Sequence, residues 1–263
     1  MKSWKFWVGM VVTVLVLVAG AGFFFMGGGA KKIDVENPPR FIQAEFIDLS
    51  RIGSISKFRS GAGHDYAANG ETCRSMKHYF TPIIDPANDW RTRSTDGIPP
   101  KPDGKTDIPI LSPVDGEVTS ISEEQTPIGV QVWIRPNNAP NYKIRLFHIY
   151  LSDSINTGTK VTAGQKIGVI GGQQGTDIAV EGLPPWTKQA VSYFQVLPDN
   201  LFQAYIDRGA TNRDDFIISK AERDANPLKC EGEKFIYPAD YDSSQDEVLL
   251  SGYVAPNYGN RPN

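Results

Sequence analysis

The chain has 263 residues, enough for one generous domain or one domain plus an anchor. Its 27 Lys and Arg against 30 Asp and Glu give a net charge of -3, with two lysines and no acid among the first 29 residues. No basic run occurs anywhere, which excludes a general electrostatic role on nucleic acid, and 40% hydrophobic with 11% aromatic residues excludes wholesale disorder.

From Phe6 to Met26 runs an uncharged stretch of 21 residues. At about 1.5 Å per residue, a helix of that length crosses a hydrocarbon core of about 30 Å. Trp4 and Trp7 stand where an interfacial aromatic belt would place them. The alternative is a cleaved signal peptide, with Ala19-Gly20-Ala21 as an A-x-A site, but the apolar run continues through Phe23-Phe24-Phe25-Met26. The sequence therefore favours a single-pass cell-membrane protein. Lys2 and Lys5 before the span orient the N-terminus inward and the body outside the cytoplasm. Two cysteines in such a compartment suggest one disulfide, Cys73–Cys230, against the alternative of two unrelated buried thiols. Gly27-Gly28-Gly29 reads as a flexible exit from the membrane, and residues 30–57 as linker plus a leading strand.

The middle of the chain reads as β. Val130, Val132 and Ile134 alternate with Gln131 and Trp133. Tyr142, Ile144, Leu146, His148 and Tyr150 form one face of a second strand whose other face begins with Lys143 and Arg145. Val191, Tyr193 and Gln195 alternate likewise. Turn signals at Pro136-Asn137-Asn138, Asn156-Thr157-Gly158 and Gly171-Gly172 separate these runs and indicate an antiparallel sandwich or half-barrel. Helical spacing appears only late, at Leu201, Phe202, Tyr205 and Ile206 before Gly209. Capping-box patterns follow at Thr211–Asp214 and Ser219–Glu222, the second helix ending by Asn226-Pro227. Residues 201–263 thus read as a helical extension with an irregular tail from Asp240.

Two stretches carry most information: Ser112-Pro113-Val114-Asp115-Gly116-Glu117-Val118, and Gly158-Thr159-Lys160-Val161-Thr162-Ala163-Gly164-Gln165-Lys166-Ile167-Gly168. Both are strands entered through glycine-permitted turns. Together they resemble the signature of lipoyl-like half-barrels, the duplicated hybrid motif. Between them, Leu146-Phe147-His148-Ile149-Tyr150-Leu151 resembles the "Y-x-H-L" strand of lysostaphin-type zinc metallopeptidases, which cleave peptidoglycan cross-links. The resemblance spans about Phe58 to Val196 and implies a mostly β domain, 58–200, of that family.

The resemblance also implies a zinc held by the first His and the Asp of "H-x-x-x-D" and by the second His of a later "H-x-H", with the remaining histidines assisting water and oxyanion. Asp65 matches, but Gly61 stands where its His would be, and by register with the following aromatic the later pair falls on Val191 and Tyr193. His148 is the one matching histidine and the candidate catalytic residue. A replacement metal site would draw on His64, Asp65 and His78, with Cys73 available only if it is not bridged. The bland account makes Cys73 a disulfide partner and His78 a hydrogen-bonded loop residue. Arg74 and Lys77 read either as contacts to an anionic wall polymer or as solvated surface cations.

The expected function is that of a non-hydrolytic binding or scaffolding module at the cell envelope, without cofactor, contacting the membrane by one span and peptidoglycan or another envelope component by its body. The alternatives are a zinc-dependent peptidoglycan hydrolase rebuilt around His64, Asp65 and His148, and a periplasmic adaptor of a transport assembly.

Overall fold

The computed structural model describes residues 32–251 and Tyr253. The Phe6–Met26 segment lies outside them; among the described residues no helix is long and apolar enough to cross a membrane. The chain divides into the units Met1–Lys32 and Ile33–Asn263, and every described element belongs to the second.

In chain order the strands begin with β1 (Ile52–Ser56), β2 (His78–Pro82), β3 (Ile108–Leu111) and β4 (Gly116–Glu123). Then come β5 (Val130–Pro136), β6 (Tyr142–Leu151), β7 (Lys160–Val161), β8 (Lys166–Ile170) and β9 (Thr176–Gly182). The last four are β10 (Ala190–Val191), β11 (Lys229–Glu231), β12 (Lys234–Ile236) and β13 (Glu247–Leu249). Helices are few and short: α1 (Tyr193–Val196), α2 (Asp199–Ile206) and α3 (Lys220–Ala225). The fold is mostly β, and its main sheet runs β13-β1-β2-β9-β6-β5-β4-β7, with antiparallel neighbours throughout. β11 and β12 form a separate hairpin.

The alternation read in β5 and β6 sets the two faces of the sheet. Val132, Ile134, Ile144, Leu146, Ile178 and Val180 enter the core together with Phe46, Phe80 and Tyr193. Each such side chain contributes about 1.5–3 kcal/mol by leaving water. The opposite face carries Lys143, Arg145 and Phe147 of β6, which register with Glu181, Ala179 and Asp177 of β9. Tyr79 of β2 registers with Asp177 from the other side.

His148 departs from its expected place on the core face. Val132 pairs with Leu146 and Val130 with Ile149, so two β6 residues, Phe147 and His148, oppose the single Gln131. This is a β-bulge, and His148 takes a left-handed backbone, φ 63°. The bulge shifts the alternation by one: Ile149 is buried where Tyr150 was expected, and His148 turns onto the polar face. It also marks the hand-over of β6 from β9 to β8, which pairs with Tyr150 and Leu151. Gly129 lies against it; a Cβ there would come within 2.6 Å of the Ile149 carbonyl oxygen.

Three further segments differ from the sequence reading. The expected linker buries Phe41, Ile42, Phe46 and Ile47 in the core. The strand expected through Gln195 stops at Val191, because Ser192 caps α1 and the Gln195 side chain closes a capping box on it. In the tail, β13 pairs with β1 and extends the main sheet. α2 and α3 follow the expected spacing, with Ser219 as the N-cap of α3.

Candidate functional site

The polar face of β6 and β9 holds a buried string of charges. Lys77, one residue before β2, is 1% exposed, and its ammonium donates to Asp177 Oδ2 at 2.7 Å. The same ammonium lies 3.2 Å from His64 Nε2 and over the rings of Phe147 and Tyr79, at 4.3 and 4.6 Å from their centroids. His148 Nε2 reaches Asp177 Oδ2 at 3.4 Å, and its Nδ1 lies 3.1 Å from Glu124 Oε1. The second contact falls outside hydrogen-bonding geometry and acts as an ion pair. Two carboxylates, Asp177 and Glu124, thus balance two cations, Lys77 and His148, the condition under which buried charges are tolerated.

The electrostatics follow from these contacts. Burial works against a charged His148, but the Asp177 carboxylate and then Glu124 outweigh it and raise its pKa to about 9. Burial likewise opposes ionised Asp177, yet the Lys77 and His148 charges hold it down at about 2. For Glu124 burial is again outweighed, by His148 and Gln131, and its pKa is lowered. His64 moves the other way: burial, then the Lys77 charge, depresses its pKa. An ammonium offers only donors, so His64 Nε2 accepts from Lys77 and its Nδ1–H donates to the Asp65 carbonyl oxygen at 3.0 Å.

The other expected metal residues do not join this cluster. His78 sits on the core face, since adjacent strand residues point to opposite sides of a sheet. Its Nδ1–H donates to Ser56 O and its Nε2 accepts from the Ser192 hydroxyl, each at 2.8 Å, so both ring nitrogens are satisfied. Burial lowers its pKa to about 4, despite the opposing bond to Ser56. Asp65 turns a carboxylate oxygen to the Arg74 amide at 3.0 Å. Among the described residues no three His, Cys, Asp or Glu side chains come together in a geometry that could hold a metal. The expected set His64, Asp65 and His78 is therefore dispersed, and as placed these residues do not form the three-ligand site a zinc needs.

Val191 and Tyr193, the positions the resemblance gives to a later histidine pair, are both buried in the core. Tyr193 is in the core between Phe46 and Phe80, its hydroxyl toward Glu45, far from the polar face. The strand that adjoins the His148 strand is β9, which presents Asp177 and Ala179 on the site face. Gly61 is blocked as well as empty of side chain. A Cβ there would run into the Tyr241 hydroxyl and come within 3.0 Å of Asp246 and Leu228. The C-terminal segment thus fills the space a histidine would need.

Cys73 and Cys230 form a disulfide, Cα–Cα 5.6 Å, which ties the β11–β12 hairpin to the loop after Tyr66. The Glu233 carbonyl oxygen accepts from the Asp65 amide at 2.7 Å, and the Tyr237 hydroxyl donates to Gly61 O at 2.7 Å. Arg74 and Lys77 are both buried rather than on the surface: Arg74 pairs with Glu71 at 2.7 Å and with Asp224 at 2.9 Å. Beside the charge cluster opens a cleft of about 350 Å³ lined by Asp65, Tyr66, Lys143, Glu181, Lys188 and Glu233. Its floor is the Lys143–Glu181 ion pair at 2.8 Å, and next in chain to the lining residue Pro185, Trp186 is 80% exposed.

Lys77, Asp177 and Glu124 were missed from sequence. The signal available for Asp177 was the alternation Asp177, Ala179, Glu181 against Ile178 and Val180, a strand with charged ends. Lys77 and Glu124 carried no local signal.

The molecule is therefore an antiparallel β domain with a histidine–carboxylate cluster closed around a lysine. No family model matches the chain, and no curated protein matches it in sequence. Among solved structures it is similar to Helicobacter pylori Csd3, with 14% identity and TM-score 0.38 over 64% of this chain and 40% of that one. It is similar also to a chain of the SpoIIQ–SpoIIIAH pore-forming complex, with 13% identity and TM-score 0.40 over 65% of this chain and 99% of that one. A zinc-containing peptidase from Vibrio cholerae gives 17% identity and TM-score 0.38 over 61% of this chain and 41% of that one. This chain thus spans well under half of Csd3 and of the Vibrio peptidase.

Proposed function

We propose that the chain is a peptidase-like binding or scaffolding module of the cell envelope that does not hydrolyse its ligand. The observation that carries this reading is Lys77: its ammonium is gripped by Asp177 and His64, so the carboxylate and imidazole that converge on this face serve a cation of the chain itself. A catalytic zinc needs three protein ligands and an open position, whereas the two donors here are engaged by the lysine. His148, flanked by two carboxylates and held protonated, is a poor base at neutral pH.

In this reading the half-barrel scaffold resembles the lysostaphin-type domain, the Phe6–Met26 span anchors it, and the body faces the envelope. The cleft lined by Tyr66, Lys143, Glu181 and Lys188, with Trp186 nearby, is the proposed contact surface for peptidoglycan or another envelope component. The test pairs two assays on the purified full chain. Incubation with peptidoglycan, with and without added zinc, should release no fragments, and cosedimentation should retain the protein, less so for Trp186→Ala. Chelator-sensitive cleavage would overturn the non-hydrolytic reading, and absence of retention would overturn peptidoglycan as the ligand.

A further inference from the structure

Ile33, the first buried residue among those described, is fastened to the wall of the cleft. Its N–H donates to the Gln189 side-chain oxygen and its carbonyl oxygen accepts from the same side chain, both at 3.1 Å. Gln189 and Gly182 line the cleft, and a Cβ on Gly182 would come within 2.9 Å of Ile33 Cγ1. In sequence Ile33 is seven residues beyond Met26, the end of the apolar run, a length that spans at most about 25 Å. With that run in the bilayer, the cleft wall stays within the same reach of the membrane face. Between Gly182 and Gln189 the chain forms the tip Leu183-Pro184-Pro185-Trp186-Thr187-Lys188, from which Trp186 stands out at 80% exposure. We infer that this tip is a membrane contact: Trp186 seats in the headgroup layer, and the cleft beside it meets its ligand at the membrane surface.

The tip is braced. The Leu183 N–H donates to Asn141 O at 2.8 Å, the Asn69 N–H to Lys188 O at 2.7 Å, and the Thr187 hydroxyl to Pro184 O at 2.8 Å. An indole held on such a turn loses little freedom on docking. Tryptophan, with an apolar body and a polar N–H, is also the side chain most at home between hydrocarbon and water. One indole would not hold a free protein on a bilayer. A tether of seven residues, however, gives the tip an effective concentration on the order of millimolar, at which a weak contact is populated. Charge adds little: Lys32 and Lys188 are exposed, but so are Asp34, Glu36 and Glu233. The contact is therefore apolar in origin and insensitive to salt and to lipid charge.

The inference rests on the anchored reading of Phe6–Met26, and the two fail differently. The probe is a vesicle of phosphatidylcholine brominated near the headgroup end of its acyl chains, carrying the reconstituted full chain; bromine quenches an indole that it touches. Trp4 and Trp7 lie beside or within the apolar run, so the reading is the difference between wild type and Trp186→Phe, a change at an exposed position. Brominated lipid should remove about half or more of the Trp186 emission seen in unbrominated vesicles. Adding phosphatidylglycerol or salt should change that fraction little. A Trp186 untouched by brominated lipid and open to acrylamide from the water overturns the inference alone. So does a Trp186 shielded from both, which would mean that a second copy or another segment covers the tip. A chain stripped from the vesicles by alkaline carbonate overturns the anchored reading and the inference with it.

Discussion

Replacing Asp177 by Asn removes one charge from the buried string while keeping its shape, and the consequence for His148 can be worked from a single distance. At 3.4 Å and an effective dielectric constant of about 20, the Asp177–His148 attraction amounts to about 5 kcal/mol, more than three pKa units. The wild-type imidazole titrates at about 9. Without Asp177, burial and the nearby Lys77 charge face only Glu124, and His148 should fall to its ordinary value of about 6.5 or lower. The stability effect has a definite sign. A pKa raised in the folded state contributes stability that is complete below the unfolded value and is lost as pH rises through about 9. The shift corresponds to about 3 kcal/mol at pH 6. Asp177→Asn also strips Lys77 of its counter-charge, so a total loss of about 3–5 kcal/mol is expected. The chain has three histidines, which makes ring-proton NMR titration readily assignable, and urea unfolding at pH 6 supplies the stability. A wild-type His148 titrating below 7, or an unchanged His148 pKa in the variant, would refute the cluster as described.

Gly61→His should not create zinc binding; it should destabilise by about 1–3 kcal/mol through overpacking against Tyr241 and Leu228. Unchanged thermal unfolding would mean that the C-terminal segment does not occupy that space. Breaking Cys73–Cys230 by Cys→Ser at either position should lower stability by up to about 5 kcal/mol, the chain-entropy value for a sequence separation of 157. Chemical denaturation with and without reductant measures it, and two labelled thiols per unreduced chain would reject the bridge. Glu45 is half-buried with its Oε1 out of solvent and unpartnered, and burial raises its pKa to about 7 against the opposing bonds from Tyr205 and Tyr193. Its folded-state advantage is therefore lost as pH rises from 4.5 through 7. Glu45→Gln should stabilise at pH 8 by up to about 3 kcal/mol and change little at pH 4, read from urea midpoints.

The strands were legible because their cause is local. Val130 to Ile134 and Tyr142 to Leu146 alternate, and alternation survives folding wherever one face is buried. The same rule misplaced His148, because a left-handed non-glycine residue at a bulge leaves no composition signal and costs about 1–2 kcal/mol that only its partners recover. Lys77 read as a surface cation because its partners arrive from residues 64, 147 and 177, and no short-range pattern brings them together. The disulfide was legible in another way, from an even cysteine count and an extracytoplasmic expectation. Phe41 to Ile47 read as linker because two prolines precede it, while its burial is set by strands much later in the chain.

The packing at Gly61 and the charge cluster around Lys77 are physically linked through the C-terminal segment. A glycine at position 61 admits Tyr241, whose hydroxyl binds Asp246, and Asp246 in turn pairs with buried Arg223 at 2.9 Å. Arg223 donates to the Arg59 carbonyl oxygen at 2.8 Å, returning the C-terminal segment to the loop that precedes Gly61. The disulfide closes the same loop from its far end at Cys73. Four residues on, Lys77 fills the charge position, and Asp177, a carboxylate that would otherwise be buried without a counter-ion, needs that ammonium. Each change makes its neighbour costly to undo: a histidine at 61 displaces Tyr241, and loss of Lys77 leaves Asp177 with His148 alone. The cluster spends its charges on holding the β2–β9–β6 face to the loop that bears His64.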